Sequence, residues 1–226
     1  MFSRIAFVTI CSALVAVPAW AQRTEGSVSV GYSANDGIAS DSRFLYGDFY
    51  QTAGIDDGTS YNFTLGVFAT RGVEFEFLFG RQDSDLSAHG RHGSLVLTPT
   101  AVYNYMGNVV YNWGDEDSVL RPFVFAGLGA THYSFGEFLL PQPFDLQAHR
   151  FRIDDSETRF SSAFGGGLKV YFTRYVGARF AVRVTPTYIT STPGGVWCDP
   201  FYGCWPVTDD HYSTQFDTSV GVTFRF

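Results

Sequence analysis

Residues 211–226 read HYSTQFDTSVGVTFRF, and apolar and polar side chains alternate along them. The alternate positions from Tyr212 to Phe226 are mostly apolar, and the positions between them, from His211 to Arg225, are polar or small. A period of two over this length predicts a β-strand with a different solvent on each face. Strands of soluble sandwiches usually have about five or six residues. The length and the terminal aromatic residue therefore favour the wall of a membrane barrel, with the apolar face on lipid.

Seven further stretches carry strand patterning. They are residues 25–35, 61–70, 73–80, 93–112, 121–135, 160–172 and 176–190. Pro99 interrupts the fourth stretch, and because proline cannot donate to a sheet ladder we expect a bulge or a local break there. Gly127 and Gly129 leave the inward face of the fifth stretch ambiguous. The even count of strands predicts an all-β fold, an eight-stranded antiparallel up-and-down transmembrane β-barrel.

The connections between these stretches alternate strictly between long and short. The long ones are residues 36–60, 81–92, 136–159 and 191–210, and the short ones are 71–72, 113–120 and 173–175. Outer-membrane barrels sort their connections in this way, with short periplasmic turns on one rim and longer outer loops on the other. A soluble Greek-key sandwich has no reason to do so. We therefore expect four long extracellular loops.

The first 21 residues have the features of an export signal. Arg4 supplies a positive start, residues 5–17 are apolar, and Ala19-Trp20-Ala21 fits the small-x-small cleavage rule. The apolar run is short for a membrane-spanning helix. We expect cleavage after Ala21, which leaves residues 22–226 as one outer-membrane β-barrel domain in the cell outer membrane of a Gram-negative envelope.

The composition of the chain limits the classes of molecule that it is expected to bind. The formal net charge is −7 at pH 7, and an acidic exported chain is a poor candidate for binding nucleic acid. Aromatic residues make up 18% of the chain at a mean hydropathy near zero, which does not describe a helical membrane protein. This composition suits a barrel wall in which the hydropathies of an apolar face and a polar face average to a value near zero. We expect outer-membrane lipid as a partner and no nucleic acid.

Charged side chains fall on the inward positions of the predicted strands. They are Glu74, Glu76, Lys169, Arg179, Arg183, Asp217 and Arg225. An eight-stranded barrel is only wide enough for its own side chains, so these charges should meet across the lumen. Paired and hydrogen-bonded charges persist in such a place, whereas isolated ones are costly. The pattern favours an electrostatic plug; the alternative is a small gated pore, which needs a second, open packing.

Two cysteines stand in the last long loop, within the segment WCDPFYGCWP of residues 197–206. Cys198 and Cys204 in an exported chain predict a disulfide, and the metal alternative lacks further ligands at suitable spacing. The stapled loop would display an aromatic contact patch or rest it on the rim of the barrel. The patch residues are Trp197, Phe201, Tyr202 and Trp205.

Four segments make the chain resemble the OmpA/OmpX-type eight-stranded barrels of the outer-membrane β-barrel domain family. They are residues 121–130, 165–170, 176–179 and 222–226. The resemblance implies the fold and the export route more than an activity. It also implies that Val222, Phe224 and Phe226 are the signal recognised by the barrel-assembly machinery.

His132 and Ser134 share one face of the fifth stretch, and Glu137 follows them. A serine with a base and an orienting acid would suit a hydrolase. The pair is similar to the His-x-Ser pair of the outer-membrane lipid A deacylases. In that family, however, the pair lies on the penultimate strand, and residues 182–188 here contain none. The expectation is therefore no enzyme, with no catalytic, cofactor-binding or metal-binding residue, and a lipid A-modifying activity at His132 and Ser134 is the alternative.

The sequence as a whole predicts a structural or surface-interaction protein with a filled lumen. Its individual chemistry would lie in the long loops, through which an extracellular ligand could bind. No cofactor is expected, since Gly165 to Gly167 lie within a strand and do not form a phosphate-cradling loop.

Overall fold

The computed structural model describes residues 23–36, 43–45, 48–90, 93–115, 118–136, 156–189, 196–199, 203–206 and 211–226. These residues form twelve strands and no helix. The strands are β1 (Thr24–Asn35), β2 (Arg43–Leu45), β3 (Asp48–Ile55), β4 (Gly58–Phe68), β5 (Val73–Gly90), β6 (Gly93–Asn112), β7 (Leu120–Phe135), β8 (Glu157–Tyr171), β9 (Val176–Ile189), β10 (Val196–Asp199), β11 (Gly203–Pro206) and β12 (His211–Arg225). Within the described ranges, no helix is long and apolar enough to cross a membrane.

Eight of these strands form a closed wall. Each of β4, β5, β6, β7, β8 and β9 pairs with the wall strand before it and the one after it, and β1 pairs with β12 to close the barrel. All of these pairings are antiparallel. The predicted fold class, an eight-stranded antiparallel barrel, is therefore confirmed.

The bounds of seven wall strands lie within three residues of the predicted ones, and β5 is the exception. The predicted loop 81–92 is wrong, because β5 and β6 continue as a hairpin from the pair Asp83 and Ala101 to the pair Gly90 and Gly93. The apolar side of the alternation stops after Phe79, because the next outward residues, Arg81, Asp83 and Asp85, are charged and lie past the apolar band. Without that alternation, the sequence pattern no longer marks the strand.

The expected irregularity near Pro99 is a bulge. The register shifts between Leu86 and Ser87, which lie opposite Thr98 and Val96, so that Leu97 is the extra residue. Pro99 itself keeps its place opposite Asp85. A bulge near the rim bends the strand and increases its twist, which suits a hairpin that leaves the barrel wall.

Two small elements lie beyond the wall on the side of the long loops. β3 pairs with the outer part of β5, and β2 pairs with β3. β10 and β11 form a separate two-stranded hairpin inside the predicted loop 191–210. Both elements belong to connections that the sequence assigns to the long-loop rim.

The outer face of the wall is apolar, as the alternation predicts. Val28 on β1, Phe75 on β5 and Leu128 on β7 are 59%, 58% and 61% exposed. Residues at the intervening positions are buried in the lumen, many of them polar or charged. The structure therefore has an apolar surface outside and a largely polar interior, the inverse of a soluble sandwich.

The ambiguous strand β7 turns Phe123 and Phe125 into the lumen, where both are buried. Across the β7–β8 ladder they face Gly167 and Gly165. A Cβ atom at either glycine would lie 2.8 Å from the Cζ atom of the facing ring. The glycines of β8 therefore let two phenyl rings lie flat against the inner wall.

Candidate functional site

A lysine between two carboxylates lies at the short-turn end of the lumen. Lys169 Nζ is 2.9 Å from Glu74 Oε2 and also forms an ion pair with Glu25. The Tyr171 hydroxyl donates to Glu25 Oε2 at 2.6 Å, and Arg225 lies 3.6 Å from the same oxygen. Lys169, Glu25 and Glu74 are almost completely buried. Buried carboxylates need a neighbouring cation, and these ion pairs provide one for each of the two.

A second pair lies one step further into the barrel. Arg179 Nη1 is 2.5 Å from Glu76 Oε2 and donates a hydrogen bond to Thr64 Oγ1 at 3.1 Å. Asn108 Nδ2 donates to the other oxygen of Glu76 at 3.2 Å. The Arg179 guanidinium also lies 4.7 Å above the centre of the Phe123 ring. This pair has the ideal features of a buried ion pair, namely short contact and further hydrogen bonds.

The third pair is looser. Arg183 Nη2 and Asp217 Oδ1 are 3.7 Å apart, while Asp217 accepts hydrogen bonds from Ser60 and Asn62. A cavity with space for about one water molecule lies beside the pair. Within the part of the chain that the structure describes, Arg183 Nε and Asn62 Oδ1 have no hydrogen-bond partner. Both residues line this cavity, so a water molecule held there would supply hydrogen bonds to them.

Above the charges, a set of uncharged side chains crosses the lumen, which we call the neutral tier. Its members are Ser33, Gln82, Asn104, Thr131, Ser161, Thr187 and Gln215. Gln215 donates to Gln82 at 2.6 Å and to Ser33 at 2.8 Å, and accepts from Asn104 at 2.8 Å. The Thr131 hydroxyl donates to Asn104 at 2.8 Å and also forms a hydrogen bond with Ser161, which forms a further hydrogen bond with Thr187. The neutral tier thus links seven of the eight wall strands, all except β4.

A cluster of apolar side chains lies at the long-loop end of the lumen. Ile55, Val102 and Tyr133 are buried together, with Leu86 and Phe135 packed against them. We call these five residues the apolar cap. The cap places hydrocarbon between the neutral tier and the outer rim.

All seven charged residues predicted for the lumen lie on its inner face, and the structure joins them through the three ion-pair groups above. The sequence reasoning omitted Glu25, Tyr171 and Arg121. Glu25 has the same strand parity as the inward serines of β1, so the alternation could have identified it. Arg121 is buried and donates to the carbonyl of Arg71, but the ambiguous face of β7 concealed it.

The two cysteines lie directly opposite each other across the β10–β11 hairpin. Trp197 and Trp205 are also cross-strand neighbours there. Phe201 and Tyr202 lie outside the described residues. The backbone therefore brings together two members of the predicted aromatic patch and the two predicted disulfide partners.

The three terminal residues expected to form the assembly signal face outward. Val222, Phe224 and Phe226 are 44%, 40% and 75% exposed on the lipid-facing side of the last strand and its end. They are thus accessible from the side of the barrel.

His132 and Ser134 lie on the outer face of β7, whose inner face carries Thr131 and Tyr133. His132 Nδ1 is 2.8 Å from Thr158 Oγ1, and its ring packs beside that of Tyr103. The imidazole thus forms its hydrogen bond with Thr158 and not with Ser134. Glu137, the expected orienting acid, lies outside the described residues.

Solved structures of outer-membrane barrels are similar to this chain. Neisserial surface protein A is 13% identical, with 90% of this chain and 97% of that chain covered at a TM-score of 0.56. The outer membrane protein OprG from Pseudomonas aeruginosa is 14% identical, with 91% and 96% covered at 0.57. The outer membrane protein AlkL is 16% identical, with 93% and 94% covered at 0.52. These similarities show the fold.

No curated protein sequence matches the chain. The family model described as outer membrane protein beta-barrel domain matches residues 7–226. This match extends over the whole barrel wall and places the protein in the outer membrane. The chain belongs to the outer-membrane protein β-barrel domain family.

Proposed function

We propose that the barrel is a sealed scaffold and that the protein acts at the cell surface through its outer segments. The observation that carries the proposal is the sequence of layers across the lumen, in which ion pairs, the neutral tier and the apolar cap follow one another. An ion that entered from the outer rim would first meet the apolar cap. It would then have to break the hydrogen bonds of the neutral tier.

The charged layer supports a static interior. Removing one partner of a buried ion pair costs about 3–5 kcal/mol, so an open state that separated several pairs would be rare. Arg179 also donates a hydrogen bond to Thr64, and Glu76 accepts one from Asn108, so both partners are held in place. These charges therefore act as internal cross-links between strands and not as a permeation path.

The outer segments are suited to contact with other molecules. The β5–β6 hairpin extends past the apolar band of the wall, and β2 and β3 widen it into a small sheet. The β10–β11 hairpin adds a pair of tryptophans. Aromatic side chains on a firm backbone are favourable contact groups, because they bring a large area at low cost in conformational entropy.

A disulfide between Cys198 and Cys204 would make the β10–β11 hairpin rigid. Val196 lies opposite Pro206, which has no N–H, so this pair belongs to the non-hydrogen-bonded class. The pair Cys198 and Cys204 lies two positions along the ladder from Val196 and Pro206, so it is also a non-hydrogen-bonded pair. Such pairs have Cα atoms about 4.5 Å apart, within the range that a disulfide spans.

Export and assembly complete the proposal. Cleavage after Ala21 would release the domain of residues 22–226 in a Gram-negative envelope. The outward-facing Val222, Phe224 and Phe226 would then be read by the barrel-assembly machinery. Their exposure on the side of the barrel supports this role.

A solute-uptake experiment tests the sealed barrel. The mature protein is reconstituted in liposomes, and swelling is recorded in solutions of small sugars, beside liposomes that contain a known open porin. We expect no swelling above that of empty liposomes. Swelling that rises with the amount of protein and falls with the size of the sugar would overturn the proposal.

A second experiment tests the role of the outer segments. Cells that display the intact protein are compared with cells that display a variant without residues 191–210, on surfaces coated with extracellular-matrix proteins or glycans. Both proteins must show the heat-dependent gel mobility of a folded barrel. We expect adhesion to depend on the deleted segment, and equal adhesion by both would remove the hairpin from the proposal.

A further inference from the structure

A row of polar and aromatic side chains crosses the outer face of the barrel close to the long-loop rim. Arg81, Tyr103, His132 and Thr158 lie directly opposite one another on β5, β6, β7 and β8. Phe79 and Tyr105 adjoin the row on the side of the apolar wall. We call these six residues the outer-rim patch.

The rings of the outer-rim patch form a connected array. The ring of Phe79 lies 5.4 Å from that of Tyr105 and 6.3 Å from that of Tyr103. The Tyr103 ring in turn lies 6.0 Å from the imidazole of His132. The Nδ1 atom of His132 is bonded to Thr158, which fixes the orientation of the imidazole. The patch is therefore organised before any ligand arrives.

The patch lies at the edge of the apolar band. The outward positions of β5 are Val73, Phe75, Phe77 and Phe79, and the next outward residue is Arg81. In an outer-membrane barrel, the apolar band ends in an aromatic girdle at the level of the lipid headgroups. The medium that contacts the patch is therefore the headgroup layer on the long-loop side.

The charge of Arg81 is compensated within the wall. Its Nε and Nη2 atoms lie 2.9 and 2.8 Å from Asp83 Oδ1, and the guanidinium lies 5.7 Å from the centre of the Tyr103 ring. A guanidinium has five N–H donors, of which these contacts use two. Together with Asp83, the patch thus offers flat rings, donors and acceptors without a net positive charge. This combination fits a polyhydroxyl ligand better than it fits a phosphate.

We propose that the outer-rim patch binds the saccharide headgroup of a glycolipid in the outer leaflet. A sugar ring presents C–H groups that pack on the face of Tyr103, and hydroxyl groups that bond to Arg81, Asp83 and His132. The proximity of Tyr103 to the apolar wall sets the height of the sugar, since the acyl chains of the same lipid lie along Phe77 and Phe79. The inference requires the barrel to be in a membrane, but not a sealed lumen.

Native mass spectrometry of the mature protein in nanodiscs tests the proposal. The probe is a purified bacterial glycolipid, titrated into nanodiscs of zwitterionic phospholipid, and a sample of the same glycolipid with its phosphates removed is titrated beside it. We expect Tyr103→Leu to weaken the binding of both samples about tenfold, in line with the loss of one aromatic contact. His132→Leu, a second variant, should weaken both as well.

The matched control is Tyr32→Leu, because Tyr32 is an outward tyrosine on β1, away from the patch, and is 56% exposed. All variants must retain heat-dependent gel mobility. Equal losses for Tyr103→Leu and Tyr32→Leu would indicate general aromatic anchoring and overturn the proposal. Competition by an anionic phospholipid, or loss of binding on removal of the phosphates, would indicate phosphate recognition and overturn it too.

Discussion

Arg183 on β9 lies directly opposite Asp217 on β12, yet their charged groups are 3.7 Å apart. The Arg179–Glu76 pair, one step nearer to the short turns, is much closer at 2.5 Å. Both residues of the looser pair line the cavity, whereas only Arg179 of the close pair does. The carboxylate of Asp217 is also held by Ser60 and Asn62. The two pairs should therefore contribute differently to stability.

Breaking the close pair should destabilise the barrel more than breaking the loose one. Glu76→Gln leaves Arg179 buried without its carboxylate, and we expect the free energy of unfolding to fall by about 3–5 kcal/mol. Arg183→Gln should cost less, because water in the adjacent cavity can solvate Asp217. Urea titrations in phospholipid vesicles, followed by gel mobility, measure both, with the exposed turn variant Arg174→Gln as the control. The reverse order of the two effects would contradict the assignment.

The glycines beneath the phenyl rings should resist substitution. Gly167→Ala puts a Cβ atom against the Phe180 carbonyl oxygen and 2.8 Å from Phe123 Cζ, and overpacking of this kind costs about 1–3 kcal/mol. Gly26→Ala is the control, since its Cβ atom would meet nothing nearer than the Thr64 carbonyl oxygen at 3.7 Å. Thermal unfolding of the two variants measures the difference. Equal stability of the two variants would contradict the close packing around Gly167.

The contribution of the neutral tier to the stability of the barrel should depend on Gln215. Gln215→Ala removes three hydrogen bonds and leaves buried polar groups on Ser33, Gln82 and Asn104 without a partner. The expected loss is about 1–3 kcal/mol for each group that stays unsatisfied. Thr218→Ala, an outward substitution on the same strand, should change stability by less than about 0.5 kcal/mol. A similar small effect for both variants would show that water replaces the amide without cost.

The two loop cysteines should be oxidised in the exported protein. Of the three cysteines in the chain, Cys11 lies in the predicted signal, so cleavage after Ala21 would leave only Cys198 and Cys204. We expect a maleimide reagent to label neither under denaturing, non-reducing conditions and both after reduction. Reduction should leave barrel stability unchanged, because β10 and β11 do not pair with the wall. Labelling without reduction would contradict the disulfide.

Alternation was sufficient to predict the wall because every membrane-spanning segment separates lipid from the lumen. It was insufficient past the apolar band, where the outward residues Asp83 and Asp85 of β5 are as polar as the inward Gln82 and Ser84, and the β5 extension was missed. The glycine positions of β7 concealed which face carries Phe123, since a residue without a side chain gives no polarity signal. The partners of each charge were also beyond the sequence, because strand tilt decides which side chains meet across the lumen.

The sealed lumen is tested most directly by planar-bilayer recording of the mature protein, alone and as Arg183→Ala. Both proteins are inserted in the same bilayer composition, and insertion is verified by the gel mobility of the recovered protein. We expect no steady conductance from either protein, because the neutral tier and the apolar cap remain in place when Arg183 is removed. Large, steady channels from the unmodified protein would contradict it.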